Sequence, residues 1–394
     1  MPEDDVFILS AVRTPIGKIG KKERGILRDF SAVDLGETVV REAVERAGIE
    51  PTYVDEVIMG NVLSAGLGQG PARQVAIRAG IPVEKPAYIV NMVCGSGLKA
   101  VISAAQAIKA GDAYVIVAGG MESMTNAPFI LNDYRLEKKF SEDKLVDTML
   151  KDGLTDAFND FHMIKTADFI ARKYGLTREE IDEFAFRSHM RAYDATKTGR
   201  FGKEIIPIRV GSSYFYEDEG IRPDTTVEKL AKLRPIYTGG TTTVGNASQL
   251  SDGASALVIA SGRKVKELGI DPLARIVGYS FSGVEPESVM ESPVLAVKEL
   301  LRRYEPEIKK KNIIYEHNEA FASASLLVQK KLHIDPNMFN VYGGAVANGH
   351  PLGATGAKIT TTALSVMEYR ECDFGIVTLC IGGGNGSAIL LERR

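Results

Sequence analysis

The stretch Asn91-Met92-Val93-Cys94-Gly95-Ser96-Gly97 decides how this chain can fold. The apolar run from Ala87 to Val93 predicts a strand, and the pattern after Cys94 predicts a helix that ends at Gly111. The apolar positions of this helix recur every three or four residues: Leu98, Val101, Ile102, Ala105 and Ile108. Residues 112–120 then predict a buried strand that ends in two glycines. This order of elements is typical of an α/β protein.

The last third of the chain repeats this pattern. Gly349-His350-Pro351 opens a helix that is predicted to run through Met367, and the apolar strand 373–380 leads through Cys380 into Gly382-Gly383-Gly384. Near the N-terminus, residues 6–10 and 56–59 predict strands on either side of a helix over residues 34–47. We therefore predict two duplicated halves whose loops meet at a shared seam.

The middle of the chain has a different character. Residues 134–151 are charged and helix-prone, and residues 211–235 carry Pro, Gly and Asp without periodicity. We assign residues 1–118 and 250–270 to an N-terminal half, 119–249 to an inserted loop domain, and 271–394 to a C-terminal half. Because long excursions from a scaffold are commonly binding elements, we expect the insertion to cover the seam and hold a ligand. Contact with another copy of the chain is an equally good interpretation.

Composition and charge exclude some classes of function. The net charge of −3 and the pI near 6.1 argue against a nucleic-acid or anionic-membrane surface. The three cysteines are an odd number, and the spacings of Cys and His match no common zinc motif. Reduced thiols in the cytoplasm fit this usage best. No run of residues reaches membrane-spanning length, and the acidic N-terminus lacks a signal sequence.

Three residues in glycine-rich turns carry the candidate chemistry. Cys94 at a strand-to-helix turn meets the positive end of the helix dipole, which favours a thiolate nucleophile. His350 could accept the thiol proton, and Cys380 could remove a proton from a carbon acid. The alternatives are an inert buried Cys94, a helix-capping His350 and a core Cys380. A Cys–His hydrolase is a further interpretation, but it has no use for Cys380.

Other ordered blocks identify a family resemblance. They are residues 10–17, 118–124, 245–254 and 318–322, together with the three glycine-rich stretches. Over essentially its whole length the chain resembles the thiolases. This resemblance implies a five-layered αβαβα core built from two duplicated halves, coenzyme A thioesters as substrates, and no metal or redox cofactor.

The resemblance also implies roles for single residues. Cys94 would take an acyl group from an acyl-CoA, with His350 as the base that activates it, and Cys380 would remove the α-proton of the second acyl-CoA. The N–H groups of Cys94 and Gly382 would hold the acyl-enzyme oxygen. His350 and a water held by Asn318 would hold the enolate oxygen.

Substrate contacts are predicted at His162, Met163, Arg222, Ser248 and Met290. The chain departs from the family pattern at Ile164, where a glycine is usual, and at Glu291-Ser292-Pro293, where a glycine-rich turn is shortened. The two methionines could close the pocket around a short acyl group. We therefore expect reversible condensation of two acetyl-CoA to acetoacetyl-CoA. A longer-chain 3-ketoacyl-CoA thiolase and a non-catalytic CoA- or lipid-binding relative are the alternatives.

The resemblance further implies an oligomer. Thiolases form dimers through sheet edges and pair the dimers through part of the inserted loop, for which residues 126–147 are the candidate here. A tetramer is therefore expected.

Several remaining residues are expected to be structural. His317 stands where the family more often has an apolar residue, and we expect a packing or surface role for it. Glu319 is expected to hold the turn after Asn318, and Cys372 to be structural. His189 is predicted on a solvated helix and His333 in a surface connection.

Overall fold

A computed structural model of the protein describes residues 3–20, 25–131 and 144–394. Within them the strands are β1 Val6–Arg13, β2 Gly17–Lys18, β3 Glu56–Gly60, β4 Ala87–Val90, β5 Val115–Ser123, β6 Phe129–Leu131, β7 Leu145–Asp147, β8 Thr155–Asp156, β9 Phe161–His162, β10 Ile208–Val210, β11 Ser213–Phe215, β12 Ser251–Ser261, β13 Ala274–Gly283, β14 Ile313–His317, β15 Phe374–Ile381 and β16 Asn385–Arg393. The α-helices are α1 Ala32–Arg46, α2 Pro71–Arg78, α3 Ser96–Ala110, α4 Ile164–Tyr174, α5 Arg178–Lys197, α6 Val227–Ala231, α7 Gly262–Leu268, α8 Ser292–Arg303, α9 Glu305–Ile308, α10 Ala322–Lys331, α11 Ala345–Asn348 and α12 Thr355–Arg370.

One large mixed sheet contains the two halves of the fold. Its strand order is β14-β15-β16-β13-β1-β12-β5-β3-β4, with β2 paired to β12. In the N-terminal half, β3 pairs parallel with β5, while the pairs β5–β12 and β12–β1 are antiparallel. In the C-terminal half, β14, β15, β16 and β13 repeat these directions in the same sequence. The predicted duplication is therefore present in the topology, and β1 and β13 join the halves by antiparallel pairing.

The layers follow from strands that are apolar on both faces. Along β12, Leu257 and Ile259 point into a central core, and Ala256 and Val258 point into an outer one. Helices α3 and α12 fill the central layer between the two halves of the sheet. Helices α1 and α2 cover the outer N-terminal face, and α8 covers the outer C-terminal face. This gives the five-layered αβαβα architecture.

Capping residues and glycines in the sequence mark where several helices begin and end. Helix α1 begins after Ser31, whose side chain and backbone exchange hydrogen bonds with Asp34 in a capping box. Helix α3 ends at Gly111, which has a left-handed backbone with φ 85°. The helix after His350 also forms, from Thr355 to Arg370, three residues beyond its predicted end.

Two predicted strand boundaries were wrong. β4 ends at Val90 rather than Val93, because Val93 has φ 46° and begins the turn that carries Cys94. β5 starts at Val115 rather than residue 112 and continues through the glycines to Ser123, since β3 and β12 both pair with it there.

Between β5 and β12 the chain forms helices α4 to α6 and three small two-stranded sheets. Part of the predicted helix-prone stretch 134–151 and of the candidate oligomer contact 126–147 lies outside the described residues. From residue 144 onward the stretch forms β7 and a π-helical turn, Met149–Leu154. Buried Arg13 of β1 ties this region to the sheet, because its guanidinium bonds Glu204 at 2.6 Å and Asp218 at 2.7 Å.

Candidate active site

Cys94 lies in a tight turn between β4 and α3. Ser96 closes this turn, since its hydroxyl accepts from Met92 N–H at 2.8 Å and donates to Val93 O at 2.6 Å. A Cβ added to Gly95 would lie 2.5 Å from Ile381 Cδ1. Glycine therefore lets the turn press against the end of β15, where Cys380 and Gly382 lie.

Different groups around the Cys94 sulfur shift the pKa of its thiol in opposite directions. Burial raises the pKa of the thiol to about 11, and the nearby Glu122 carboxylate acts in the same direction. The backbone N–H groups of Gly382 and of Cys94 itself point at the sulfur and oppose this rise. Two N–H donors at one sulfur can also hold a negative oxygen on a group bound to that sulfur.

His350 lies in the turn between α11 and α12. Its backbone N–H donates to Gln249 O at 3.1 Å and to Ser251 Oγ at 3.2 Å, at the start of β12. Gly349 has φ 90°, and an added Cβ there would lie 2.2 Å from Ser251 Oγ. The turn before His350 therefore requires glycine.

The hydrogen bonds of the His350 ring assign its tautomer. Nδ1 is 2.6 Å from Thr355 Oγ1, and the Thr355 hydroxyl donates to Pro351 O at 2.9 Å, so Nδ1 carries the proton. Nε2 then holds the lone pair, 3.3 Å from Asn318 Nδ2. Burial lowers the pKa of His350 to about 3, and the charge of Lys358 adds to this effect. A neutral imidazole with a free Nε2 lone pair is the form that can take a proton from a thiol.

The turns of Cys94 and His350 meet through the first turns of α3 and α12. A Cβ on Gly97 would lie 2.8 Å from Ala357 N and 2.9 Å from Gly353 O. On the facing helix, a Cβ on Gly356 would lie 2.2 Å from Leu98 N. Because no side chain fits between the helices here, the two turns lie side by side.

Cys380 lies on β15 opposite Gly386 of β16 and is only 5% exposed. Burial raises the pKa of this thiol to about 12, and the charge of Cys94 contributes to the rise. This effect requires the two sulfurs to be close together. Cys380 belongs to an apolar cluster that also contains Met290, with Met163 packed against it.

Asn318 is the residue after β14 and is fully buried. Its backbone N–H donates to Thr378 O at 3.1 Å, which fixes it beside the end of β15. Among the residues described, none lies within hydrogen-bond distance of its side-chain Oδ1. Because Nε2 of His350 carries the lone pair, the nitrogen end of this amide faces the ring and can donate to it.

The predicted substrate contacts lie at different distances from this cluster. Ser248 N–H donates to Ala320 O at 3.0 Å, so Ser248 lies beside the turn that follows Asn318. His162 is half-buried on β9, and its Nδ1 accepts from Ile164 N–H at 3.1 Å. Arg222 lies further out. Its backbone N–H donates to His189 Nδ1, its carbonyl oxygen accepts from Thr225 N–H, and none of the described contacts joins it to the cysteines.

The prediction of a solvated His189 was wrong. Only 1% of this residue is exposed, and Nδ1 accepts from Arg222 N–H at 3.2 Å. Burial lowers its pKa to about 4. The reason is that α5 packs against α6, α10 and α11, so its faces are covered more completely than those of a surface helix.

The residues expected to be structural are mostly buried. His317 packs rather than lying at the surface, because its ring stacks on Phe339 with centroids 6.0 Å apart and Nδ1 is 2.7 Å from Ser325 Oγ. Glu319 accepts from Ser188 Oγ at 2.6 Å and Asn340 Nδ2 at 2.8 Å, which ties the turn after Asn318 to the loop before α11. Cys372 is buried, whereas His333 is exposed.

Two further charged residues at the seam were missed from the sequence. Glu122 on β5 is fully buried, and its carboxylate accepts from Asn61 Nδ2 and Gly353 N, both at 2.8 Å, and from the N–H groups of Val62 and Leu63. Burial raises the pKa of Glu122 to about 7. Lys358 is buried on α12, directly behind the His350 turn. A single charge inside an apolar strand or helix pattern was the signal that could have revealed both.

A cavity of about 690 Å³ lies toward the other end of α12 from His350, between Leu9, Leu273 and Leu364, and holds none of the predicted site residues. Within residues 3–20, 25–131 and 144–394, no group of three or more His, Cys, Asp or Glu side chains is arranged to hold a metal ion. No helix of the same residues is long and apolar enough to cross a membrane.

Comparison with known proteins finds matches to both halves of the chain. The thiolase N-terminal domain model matches residues 6–263, and the thiolase C-terminal domain model matches residues 270–393. An acetyl-CoA acetyltransferase of Cupriavidus necator is 47% identical, over 99% of this chain and 100% of that protein. One of Pseudomonas aeruginosa is 48% identical, over 99% of both chains.

Solved structures agree with these sequence matches. The Acat5 thiolase from Ascaris suum, in complex with coenzyme A, has a TM-score of 0.92 and 42% identity over 99% of this chain and 100% of that one. The acetyl-CoA acetyltransferase of Bacillus anthracis has a TM-score of 0.94 and 39% identity over 99% of both chains. On sequence and on structure, this chain belongs to the thiolase family.

Proposed function

We propose that this protein is an acetyl-CoA C-acetyltransferase. It condenses two acetyl-CoA molecules reversibly to acetoacetyl-CoA and CoA through an acetyl-cysteine. The observation that carries the proposal is the pair of neighbouring cysteines with different surroundings. Cys94 faces two N–H donors, whereas Cys380 lies in an apolar cluster. Full-length relatives that carry the name acetyl-CoA acetyltransferase support the same activity.

In the first half-reaction Cys94 acts as the nucleophile. His350 Nε2 takes the thiol proton as the sulfur attacks the thioester carbonyl of acetyl-CoA. The N–H groups of Cys94 and Gly382 hold the oxygen on which charge develops. The bond to the CoA sulfur then breaks, and the leaving CoA thiolate takes the proton of the nearby Cys380 thiol. Cys380 is left as a thiolate, and His350 keeps the Cys94 proton on Nε2. Because both Cys94 and His350 are neutral in the free protein, this proton moves only when a substrate is attacked.

In the second half-reaction Cys380 acts on the incoming acetyl-CoA. The Cys380 thiolate takes a proton from the methyl carbon, and the enolate oxygen is held by the Nε2–H of His350 and by a water on Asn318. The unpaired Oδ1 of Asn318 supports this role, since it is a buried acceptor beside the ring. The carbon then attacks the acetyl group on Cys94, and the Cys94 thiolate leaves and recovers its proton from His350.

The acyl groups of both substrates are proposed to lie against Met163 and Met290. Both methionines share the apolar cluster of Cys380, which supports a small pocket at the reacting carbon. His162 and Ser248 lie further out and are proposed to contact the pantetheine, with Arg222 nearest the phosphates because a guanidinium suits phosphate. A longer-chain 3-ketoacyl-CoA thiolase and a non-catalytic relative remain the alternative functions.

The experiment that tests the function is cleavage of acetoacetyl-CoA by the purified protein. We expect CoA-dependent loss of acetoacetyl-CoA with formation of two acetyl-CoA, and the reverse condensation when CoA is removed. Turnover that does not depend on CoA would indicate a hydrolase, and binding without turnover would indicate a non-catalytic relative.

A homotetramer is proposed as the assembly. The outer edge of β4 is unpaired in the described sheet, and Val83 and Tyr88 are exposed beside it, which supports a dimer through this edge. Phe129 and Leu145 are exposed apolar residues on the β6–β7 hairpin and support contact between dimers. Light scattering after size exclusion checks this assembly, and a monomer at all concentrations would contradict it.

The cytoplasm is proposed as the compartment. All three cysteines are free thiols, which fits a reducing environment.

A further inference from the structure

The turn that carries His350 is held from behind by a buried ammonium group. Lys358 is the fourth residue of α12, and only 1% of it is exposed. Its Nζ donates to Asn348 Oδ1 at 2.6 Å and to Gly349 O at 2.7 Å, in the two residues directly before His350. Hydrogen bonds from a charged donor are among the stronger ones in proteins, so they fix the local backbone firmly.

The duplicated half of the fold provides a comparison for this lysine. Helices α3 and α12 touch at Gly97 and Gly356, and a lysine follows each glycine by two residues. Lys99 on α3 lies near the surface, where it donates to Gln106 at 3.0 Å and lies over the Phe281 ring. Lys358 at the matching position is buried and reaches back to the His350 turn. The same residue type at equivalent positions thus has a different environment in each half.

Burying a lysine is costly unless other groups compensate for its charge. The charged groups that face Lys358 come from several parts of the fold: Arg13, Glu204, Asp218 and Glu319. Burial lowers the pKa of Lys358 to about 8, so it stays mostly charged at neutral pH. A buried charge that destabilises the fold thus lies directly behind the His350 imidazole. This position points to a functional role for the charge.

We propose that Lys358 is a positioning residue for His350, which fixes the Asn348-Gly349 turn through two hydrogen bonds and keeps the imidazole neutral through its positive charge. This proposal rests on the proposed role of His350 as the base. A neutral ring keeps the Nε2 lone pair available for the Cys94 proton. Once that proton has moved, the ring becomes a cation near Lys358, so it gives the proton back readily to the Cys94 thiolate that leaves in the second half-reaction.

The pH dependence of acylation tests the charge effect. The rate of acetyl transfer from acetyl-CoA to Cys94 is measured in a single turnover by mass spectrometry of the quenched protein. Because the pKa of His350 is about 3, the wild-type rate is expected to show no loss from His350 protonation down to about pH 5. In Lys358→Met the His350 pKa rises, although burial still holds it below its ordinary value. The fall in rate at acid pH should therefore begin at a higher pH than in the wild-type protein, and the rate should be roughly 10- to 100-fold lower at neutral pH.

Three other variants separate charge from packing. Lys358→Arg keeps the charge and should keep the wild-type behaviour at acid pH. Asn348→Ala removes one hydrogen bond but no charge, so it should slow acylation without moving its pH dependence. Lys99→Met makes the same chemical change on the matching helix and should leave both the rate and its pH dependence unchanged.

The possible outcomes are distinct. A uniform loss of rate in Lys358→Met, with the wild-type pH dependence, would reduce Lys358 to a packing residue and overturn the proposal, as would an acid shift in Lys358→Arg or Lys99→Met. The other groups that face Cys94, Glu122 and Cys380, stay unchanged in every variant. If Lys358→Met does not fold, Asn348→Asp is measured in its place. A carboxylate beside Lys358 should offset the lysine charge, so the fall of the acylation rate at acid pH should again begin at a higher pH. Wild-type protein that does not label would overturn the proposed function, and the Lys358 proposal with it.

Discussion

The two halves of the molecule place different chemistry at equivalent positions. Asn61 directly follows β3 and Asn318 directly follows β14, the matching strand. Glu122 lies two residues beyond the last register pair of β3 with β5, and Cys380 lies two residues beyond that of β14 with β15. In the N-terminal half Asn61 and Glu122 bond each other at 2.8 Å. In the C-terminal half Asn318 faces His350, and Cys380 lies near Cys94.

This difference shows how one scaffold serves two purposes. In the N-terminal pair, Glu122 binds the amide nitrogen of Asn61 and also holds Gly353 in the turn after His350. In the C-terminal pair, the amide nitrogen of Asn318 faces His350 instead, and Cys380 is a free thiol at the seam. One half therefore braces the site, and the other half supplies groups that can react. Substitutions at equivalent positions should therefore affect stability in the N-terminal half and catalysis in the C-terminal half.

The largest effect is expected at the cysteines. Cys94→Ser should lose covalent labelling by acetyl-CoA, because the acyl group is stored on this sulfur. Cys380→Ser should still label but should lose condensation by about 10²- to 10⁴-fold, since the proton acceptor is removed. Mass spectrometry of the labelled protein and a condensation assay measure the two steps. Cys372→Ser is the matched control, because this cysteine is buried away from the seam. Labelling of another cysteine in Cys94→Ser would contradict the assignment.

Much of this arrangement could be predicted from the sequence. Glycine-rich turns beside apolar strands or helices suggested Cys94, His350 and Cys380 as candidates, because such turns allow close backbone approach. The repeated strand–turn–helix pattern predicted the duplication. Glu122 and Lys358 escaped because their partners lie in turns: Gly353 is 231 residues from Glu122 in the sequence, and Lys358 binds the Asn348-Gly349 turn. His189 was misjudged because a single helix pattern does not show how many neighbours cover it.

Effects of intermediate size are expected at the two equivalent asparagines, Asn318 and Asn61, and they should fall on different properties. Asn318→Ala removes the hydrogen bond beside His350 and should lower condensation by roughly 10²- to 10³-fold with little change in stability. Asn61→Ala leaves Glu122 with one donor fewer in a buried site, so it should lower the free energy of unfolding by about 1–3 kcal/mol. Condensation kinetics and urea unfolding distinguish the two. A pure stability loss in Asn318→Ala would mean that both halves use this position for bracing.

The smallest effect concerns the length of the substrate's acyl chain. Met163 of the inserted segment and Met290 of the C-terminal half both pack in the cluster that contains Cys380. If these side chains close the pocket, an added methylene finds no space, and four-carbon substrates should be preferred. In a roomy apolar pocket each methylene would instead add about 0.8 kcal/mol, or about fourfold in the specificity constant. Thiolysis of a 3-ketoacyl-CoA series from four to ten carbons measures this dependence.

Met163→Ala sharpens the chain-length test. Because Met163 is only partly buried, its truncation should open the pocket toward the insertion without disturbing Met290, which is 1% exposed. Six-carbon substrates should then gain relative to four-carbon ones, while labelling of Cys94 by acetyl-CoA continues. Specificity constants that already rise with chain length in the wild-type protein would replace the acetoacetyl-CoA assignment with the longer-chain function. The roles of Cys94, His350 and Cys380 would survive that result, since they act on the thioester and its α-carbon rather than on the chain beyond them.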